Sequence, residues 1–508
     1  MTIASISRIA CAASIVALAG AGTYAVQPPA ARHAQLVIVV DGLRPDYVTP
    51  AVMPRLVRLG QRGIVFNAHH SIVPTVTRVN AASMVTGVHP EGHGLLGNSI
   101  YVPAADAARS LDTGQRENLE KVAAATGRLL TAPTLGELLT RAGRTLFTVG
   151  SGSSGAVFML DTTGSGVAVH QEFARPPAVA SRIAEALGPP PAHATPNAGL
   201  NRRAVDAYLM LGLDENRPDV TLMWLSDPDT TAHAKGMGTP PTVESLRLVD
   251  GEIGRIEDAL RTRGLLDRTN LLVVSDHGFS TYTSALKLEA LVAPFAKTAA
   301  DGSRDIAVAE GAIYLRGGAD PARVATIVAA LQKSAAVGAI FTRPASRGGV
   351  EGVVPGTLSY DVVRWNHPRS GDILISPNWS DAKNEAGIAG ASTQTGVAGH
   401  GASSPYDIHN ILIAAGPDIR ERAVSDVPTG NVDLTPTLLR LEGLQPLDTM
   451  TGRVIEEALR DGPPPQSIRV EHTTERVKTA DGSYELAAHI SAAAGHRYLD
   501  YTEVTRRP

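Results

Sequence analysis

Three apolar runs that lead into acidic or histidine residues constrain this chain more than any other feature. The run at residues 36–40 is continuous, and the other two are the mainly apolar strand segments 219–225 and 270–275. The polar residues that follow them are Asp41, then Asp229 and His233, then Asp276 and His277. Continuous apolar runs are typical of strands buried on both faces of a parallel sheet. Open α/β sheets place ligands beyond the carboxyl ends of such strands. The sequence therefore predicts a polar site along one edge of a parallel sheet.

The order of predicted elements sets the fold class. Strand, loop and helix patterns alternate along most of the 508 residues, which predicts an α/β fold. We expect a doubly wound, mostly parallel sheet with helices on both faces. Residues 297–395 read instead as short strands around one helix, which predicts a small inserted α/β cap subdomain. The catalytic domain would then comprise residues 35–296 and 396–462, and residues 463–508 would form a strand-rich C-terminal extension.

The N-terminus has the pattern of an export signal. One arginine precedes an apolar, Ala-rich stretch, and residues 23–25 fit a small-x-small cleavage site. Residues 1–25 are predicted to be a cleavable signal peptide and residues 26–34 a linker. An uncleaved anchor is the alternative, although the stretch is short for a membrane span. We expect a periplasmic or secreted protein that is free of the membrane after cleavage.

Composition argues against cysteine-dependent sites and against a nucleic-acid-binding surface. The only cysteine, Cys11, lies in the leader, so the mature chain has no disulfide, thiolate metal site or cysteine nucleophile. The net charge is −4 and there is no basic run, so no nucleic-acid-binding surface is predicted.

A loop that enters a helix carries the candidate nucleophile, Thr77. The free N–H groups at a helix N-terminus suit an anion. A threonine at this place is often only a helix cap. A second loop, residues 151–155, is rich in Gly and Ser but lacks the Lys-Ser/Thr ending of a phosphate-binding P-loop, so we interpret it as a flexible loop.

Seven side chains could together form a metal centre. They are Asp41, Thr77, Asp229, His233, Asp276, His277 and His400. Carboxylate and imidazole are suitable ligands for zinc, and seven groups suffice for two metal ions with three or four protein ligands each. Taken singly, each residue has a structural interpretation, such as a turn or a helix cap. Five other histidines are interpreted as structural, namely His69, His70, His89, His93 and His409.

An ordered set of motifs resembles a known family. The motifs are Asp41-Gly, Pro74-Thr-x-Thr77-x-x-Asn80, Thr86-Gly-x-His-Pro-Glu-x-His-Gly94, Pro228-Asp229-x-x-x-His233, Ser275-Asp-His-Gly278 and Gly399-His-Gly401. In this order they resemble the nucleotide pyrophosphatase/phosphodiesterase branch of the alkaline phosphatase superfamily. The resemblance covers most of residues 35–445.

The resemblance implies roles for individual residues. It implies one zinc ion held by Asp229, His233 and His400, and a second held by Asp41, Asp276 and His277. Thr77 would face the second zinc and form a phospho-threonine that water later hydrolyses. Asn98 would bind a phosphoryl oxygen and stabilise the charge that develops there.

Two positions bear on the substrate, which is expected to be a small-molecule phosphate ester. Arg78 stands where nucleotide-cleaving members carry an aromatic residue, and it could bind a second negative charge of a monoester. Trp224 matches a position where the family places an aromatic side chain against the base, although a buried strand tryptophan is an equal alternative.

The first hypothesis is an exported two-zinc phosphodiesterase. A phosphomonoesterase or phosphonate hydrolase on the same frame, or a non-catalytic binding protein, is the alternative.

Overall fold

The computed structural model describes residues 32–298 and 302–507. The predicted signal peptide and most of the predicted linker lie outside the described residues. Among the described residues, no helix is both long and apolar enough to cross a membrane. The predicted domain boundaries stay a proposal.

The strands of the described residues have the following bounds: β1 (Ala34–Val40), β2 (Ile64–His70), β3 (Ser99–Ile100), β4 (Leu111–Asp112), β5 (Leu146–Gly150), β6 (Val167–Val169), β7 (Ala174–Arg175), β8 (Val220–Leu225), β9 (Thr269–Val274), β10 (Ser280–Tyr282), β11 (Ile306–Ala309), β12 (Ala312–Leu315), β13 (Val337–Thr342), β14 (Leu358–Ser359), β15 (Ile373–Pro377), β16 (Trp379–Lys383), β17 (Ala389–Ser392), β18 (Ala398–Gly399), β19 (His409–Ala415), β20 (Ala423–Ser425), β21 (Thr429–Gly430), β22 (Val470–Lys478), β23 (Tyr484–Ala493) and β24 (His496–Arg506).

The α-helices of the same residues are α1 (Pro54–Arg62), α2 (Thr77–Thr86), α3 (Pro90–His93), α4 (Arg116–Thr126), α5 (Leu135–Arg141), α6 (Ser154–Leu160), α7 (Pro177–Leu187), α8 (Ala198–Ala207), α9 (Asp229–Lys235), α10 (Pro240–Thr262), α11 (Leu288–Val292), α12 (Pro321–Lys333), α13 (Pro405–Ile408) and α14 (Leu434–Leu441).

The main sheet confirms the predicted fold class. Its strand order is β20-β2-β19-β9-β1-β8-β5-β6-β7, with β21 also paired to β2. Strand β1 runs parallel to both β8 and β9, whereas β19 runs antiparallel to β9 and β2. The three strands whose apolar runs lead into Asp or His are therefore neighbours at the centre of the sheet, and their carboxyl ends meet at one edge.

Helices cover both faces because the central strands are apolar on both. In β1, Val37 and Val39 belong to a core that includes side chains of α2 and α6. The intervening Leu36, Ile38 and Val40 belong to a second core with side chains of α8 and α10. Alternate side chains of a strand point to opposite faces, so one continuous apolar run supplies two cores.

Four smaller sheets complete the described fold, and the smallest is the antiparallel pair of β3 and β4. Strands β11 to β15 form a five-stranded sheet inside the predicted insertion, in the order β11-β12-β15-β13-β14. Strands β16 and β17 of the same segment form one sheet with β10 and β18, which flank the segment in sequence, in the order β16-β17-β10-β18. The C-terminal strands β22, β23 and β24 form an antiparallel sheet of their own.

Candidate metal centre and nucleophile

Two clusters of potential metal ligands lie at the carboxyl edge of the main sheet. We call Asp41, Asp276 and His277 the inner trio. We call Asp229, His233 and His400 the outer trio. In each, one ligand atom per residue lies within 4.8 Å of the others. The structure thus brings together the acidic and histidine residues singled out from the sequence, divided as the resemblance implies.

Neighbouring strands position the two trios against each other. Asp41 follows β1, Asp276 and His277 follow β9, and Asp229 begins α9 just beyond β8. The Asp229 N–H donates to the Asp41 carbonyl at 3.1 Å. Gly42 has a φ of +70°, and a Cβ there would lie 3.1 Å from the Asp229 Cβ. A larger residue at this position would therefore push the two trios apart.

All three histidines are oriented in the same way. The Nδ1 atoms of His277, His233 and His400 lie 2.9, 2.9 and 2.8 Å from the carbonyl oxygens of Gly278, Ala398 and Thr75. A carbonyl can only accept, so each Nδ1 carries the proton and each Nε2 is left for another partner. Metal-binding histidines are commonly fixed by such a bond from the ring nitrogen that does not touch the metal.

The carboxylates are crowded and incompletely bonded. Among the described residues, Asp41 Oδ1, Asp229 Oδ1 and Asp276 Oδ2 are buried and accept no hydrogen bond. Burial and the nearby carboxylates of Asp276 and Asp229 raise the pKa of Asp41 well above its usual range. Buried oxygens without partners are costly unless something compensates them. The donor set therefore fits divalent cations bound by oxygen and nitrogen.

Thr77 lies where the inner trio meets a helix N-terminus. It is the first residue of α2 and is 3% exposed. Its Oγ1 lies 3.2 Å from His277 Nε2. The Asn80 side chain accepts from the Ile72 N–H at 2.7 Å and donates to the Val76 carbonyl at 3.1 Å, which fixes the loop before Thr77.

Asn98 and Arg78 lie beside this hydroxyl. The Arg78 N–H donates to Asn98 Oδ1 at 3.1 Å, so the Asn98 amide nitrogen is the end left to donate to a ligand. Thr113 accepts from Arg78 Nε at 3.4 Å and donates to the Asn98 carbonyl at 2.7 Å. Thr113 therefore contacts both Arg78 and Asn98, two of the three predicted substrate-binding residues.

Trp224 lies as its alternative interpretation, a buried strand tryptophan, describes. It is 0% exposed, so its ring has no free face for a nucleobase. Its Nε1–H donates to Asp41 Oδ2 at 2.8 Å. This burial argues against the predicted contact with substrate, because strand β8 turns the indole into the core beneath the inner trio.

A cavity of about 360 Å³ opens over the two trios. Asp41, Thr77, Arg78 and Asp229 contribute to its wall. Its remaining lining residues, which sequence reasoning had not selected, are Gly114, Gln115, Gly152, Ser153, Ser154, Glu172, His193, Ser226 and Thr230. Residues 152–154 belong to the Gly/Ser-rich loop for which the sequence predicts flexibility, although Ser154 begins α6. Its composition was the only available signal, and it is shared with many loops that bind nothing.

Comparisons with known proteins agree with this arrangement. A model of the family "Type I phosphodiesterase / nucleotide pyrophosphatase" matches residues 35–401. Human ectonucleotide pyrophosphatase/phosphodiesterase family member 1 is 27% identical over 249 residues, which are 48% of this chain and 23% of the human protein. A venom phosphodiesterase of Macrovipera lebetinus is 24% identical over 252 residues, which are 48% of this chain and 25% of the venom protein. The chain thus spans about a quarter of these relatives' length.

A solved structure supports the fold. Inactive murine ectonucleotide pyrophosphatase/phosphodiesterase 5 in complex with AMP superposes with a TM-score of 0.58 at 17% identity. The match covers 84% of this chain and 100% of the murine chain. Since the family model spans the strands and loops that supply both trios and Thr77, the chain belongs to the type I phosphodiesterase/nucleotide pyrophosphatase family.

Proposed function

We propose that this protein is an exported, metal-dependent phosphodiesterase or nucleotide pyrophosphatase that acts through a phospho-threonine at Thr77. The observation that carries the proposal is the position of the Thr77 hydroxyl, which lies 3.2 Å from His277 Nε2 at the junction of two trios of metal ligands. Export rests on the signal pattern of residues 1–25.

The inner trio would hold one divalent ion and the outer trio a second, with zinc favoured by the carboxylate and imidazole ligands. When bound, such ions supply positive charge that activates a hydroxyl and stabilises the oxygens of an in-line displacement at phosphorus. Without that help a threonine hydroxyl is a poor nucleophile.

The reaction of the protein's own groups then runs in two displacements. The Thr77 oxygen releases its proton to solvent and forms a bond to phosphorus, while the bond from phosphorus to the leaving oxygen breaks and that oxygen departs with the electron pair. Water then attacks the same phosphorus, and the Thr77 oxygen leaves and regains a proton. The Asn98 amide and the Thr77 backbone N–H donate to the phosphoryl oxygens, where charge develops.

The substrate is proposed to be a small phosphate ester, with a nucleotide as one candidate. AMP is the ligand of the murine neighbour, which shares the fold at low identity. A nucleobase would have to find another surface than Trp224, which is buried. A phosphomonoesterase is the second candidate, because Arg78 lines the cavity and could bind an additional negative charge.

The test compares two esters of one aryl alcohol. We expect the purified protein, stripped of metal and reloaded with zinc, to show a higher kcat/KM for the aryl diester than for the matching monoester. Thr77→Ala serves as the inactive control. A preference for the monoester that disappears in Arg78→Gln would favour the second candidate. No turnover of either ester by the zinc-loaded protein would contradict both.

A further inference from the structure

A third cluster of ligand residues lies away from the active-site cavity. His70 ends β2, His409 begins β19, and Asp500 lies in β24 of the C-terminal sheet. One ligand atom from each lies within 4.8 Å of the others, as in the inner and outer trios. We call these residues the C-terminal trio. Both histidines had been interpreted from the sequence as structural.

The two histidines face the same point because of strand register. His409 and His70 are directly paired across the antiparallel strands β19 and β2. Their ring centroids lie 4.7 Å apart with a tilt of 56°. Side chains of directly opposed residues share one face of the sheet, and here that face meets the C-terminal extension.

One nitrogen of the His70 ring already bonds a backbone carbonyl. His70 Nδ1 lies 2.8 Å from the Thr429 carbonyl oxygen. A carbonyl can only accept, so Nδ1 is the donor and Nε2 is the nitrogen that faces the other ligands. His70 Nε2 lies 2.8 Å from Asp500 Oδ1, and a ring nitrogen of His409 lies within 4.8 Å of both atoms. The inner and outer trios orient their histidines through the same kind of carbonyl bond.

The carboxylate and one ring are also held in place. Ser491 Oγ lies 2.8 and 2.6 Å from the two oxygens of Asp500. Tyr498 stacks on His70, with ring centroids 5.5 Å apart, and its hydroxyl donates to Asp433 at 2.8 Å. These contacts hold Asp500 and His70 in place, as hydrogen bonds from neighbouring residues do for the ligands of metal sites.

We infer that His70, His409 and Asp500 form a further metal site, which takes a zinc-class divalent cation and fastens the C-terminal sheet to the catalytic sheet. Two imidazoles and one carboxylate are a ligand set found in three-ligand zinc sites with an open fourth position. His70 lines a cleft of about 680 Å³ together with Tyr498 and Leu499 of β24. His409 and Asp500 lie beyond residues 35–401, so the site is not part of the segment that matches the family model.

The site would join segments that are distant in sequence. It links β24 to the end of β2, and the loop that carries Thr77 begins directly after β2. The inference does not depend on the proposed phosphodiesterase activity, because it concerns ligands outside both active-site trios.

The test counts metal and measures protection of β24. The full protein is stripped of metal and reloaded with zinc, then Asp500→Asn and His409→Gln are compared with the wild type. We expect each variant to bind one zinc ion fewer per chain. Asn keeps the size of Asp and can still bond Ser491, so circular dichroism should show an unchanged fold.

The matched control is Glu503→Gln, which alters a carboxylate of the same hairpin that lies 3.6 Å from His489 but belongs to no trio. It should bind as much zinc as the wild type. Amide exchange over residues 496–506 should slow with zinc in the wild type and in Glu503→Gln, but not in Asp500→Asn. Equal zinc counts in the wild type, Asp500→Asn and His409→Gln would overturn the inference, as would zinc-independent exchange of β24 in the wild type.

Discussion

The inner and outer trios use similar ligands but differ in how far solvent reaches them. In the inner trio the side chains of Asp276 and His277 are 0% exposed and that of Asp41 is 9% exposed. In the outer trio the His233 side chain is 40% exposed. The inner residues directly follow buried strands, whereas Asp229 and His233 belong to a short helix and His400 to a loop.

This difference suggests a division of labour. The inner trio contacts Thr77 and is enclosed, so electrostatic interactions there are weakly screened and suited to activating a nucleophile. The outer trio is more open to solvent through the His233 side chain, so an ion there is expected to exchange more readily. The predictions below test this contrast.

The largest effect is expected from removing the hydroxyl at the inner trio. Thr77→Ala should lower kcat by on the order of 10⁴-fold or more, the scale of losing a nucleophile, because no other hydroxyl is proposed to form the covalent intermediate. Zinc content and the far-UV circular dichroism spectrum should stay those of the wild type. Thr77→Ser, which keeps a hydroxyl, should retain measurable turnover. Activity of Thr77→Ala near the wild-type level would contradict the assignment of Thr77 as the nucleophile.

The second prediction separates the two trios by their response to zinc. Asp276→Asn should remain slow at saturating zinc, by on the order of 10³-fold, because it removes charge from the enclosed site next to Thr77. His233→Gln should mainly raise the zinc concentration that gives half-maximal activity, by on the order of 10²-fold. Titrating activity against free zinc measures both quantities. Identical titration curves for the two variants would contradict the proposed difference in role between the inner and outer trios.

The sequence predicts those features whose signals lie close to the residues concerned. The metal-ligand candidates follow apolar runs or fall in short motifs, and parallel pairing of β9, β1 and β8 brings three of these segments to one edge. The fold class follows from the same alternation of strands and helices. Such signals lie within a few residues of each candidate and need no knowledge of distant contacts.

The remaining features depend on contacts between distant segments. The partner of Trp224 is set by the register of β1 against β8, and a register shift of one residue would turn the indole to the other face. His70 and Asp500 are separated by 430 positions, and no local pattern links them. The order of the insertion's five strands depends in the same way on which strands meet in space.

A smaller effect is expected on the substrate side of Thr77. Asn98→Ala should lower kcat by about 10²-fold, because it removes one donor to the charge that develops on the phosphoryl oxygens. The Asn98 side chain accepts from the Arg78 N–H, so the variant also frees that backbone group. Asn98→Asp, which keeps the acceptor but removes the donating amide, is the matched control and should be at least as slow. A rate close to that of the wild type in Asn98→Ala would exclude a role in charge stabilisation.

The smallest predicted effect concerns the support beneath the inner trio. Trp224→Phe keeps a buried aromatic ring but removes the N–H that donates to Asp41 Oδ2 at 2.8 Å. Asp41 would then lose the bond that orients it, which we expect to weaken zinc binding at the inner trio by about 10-fold. Competition with a metal chelator measures that affinity, and saturating zinc should restore most of the turnover.

The control for this substitution is Trp379→Phe, which removes an indole hydrogen bond to the Thr502 carbonyl at 2.7 Å and touches neither active-site trio. It should leave zinc affinity unchanged. If Trp224→Phe instead kept full zinc affinity and altered only the KM for nucleotide esters, the ring would have to reach the substrate despite its burial. The Trp224 N–H would then contribute nothing to zinc binding, and the inner trio would have to be held in place by its other contacts alone.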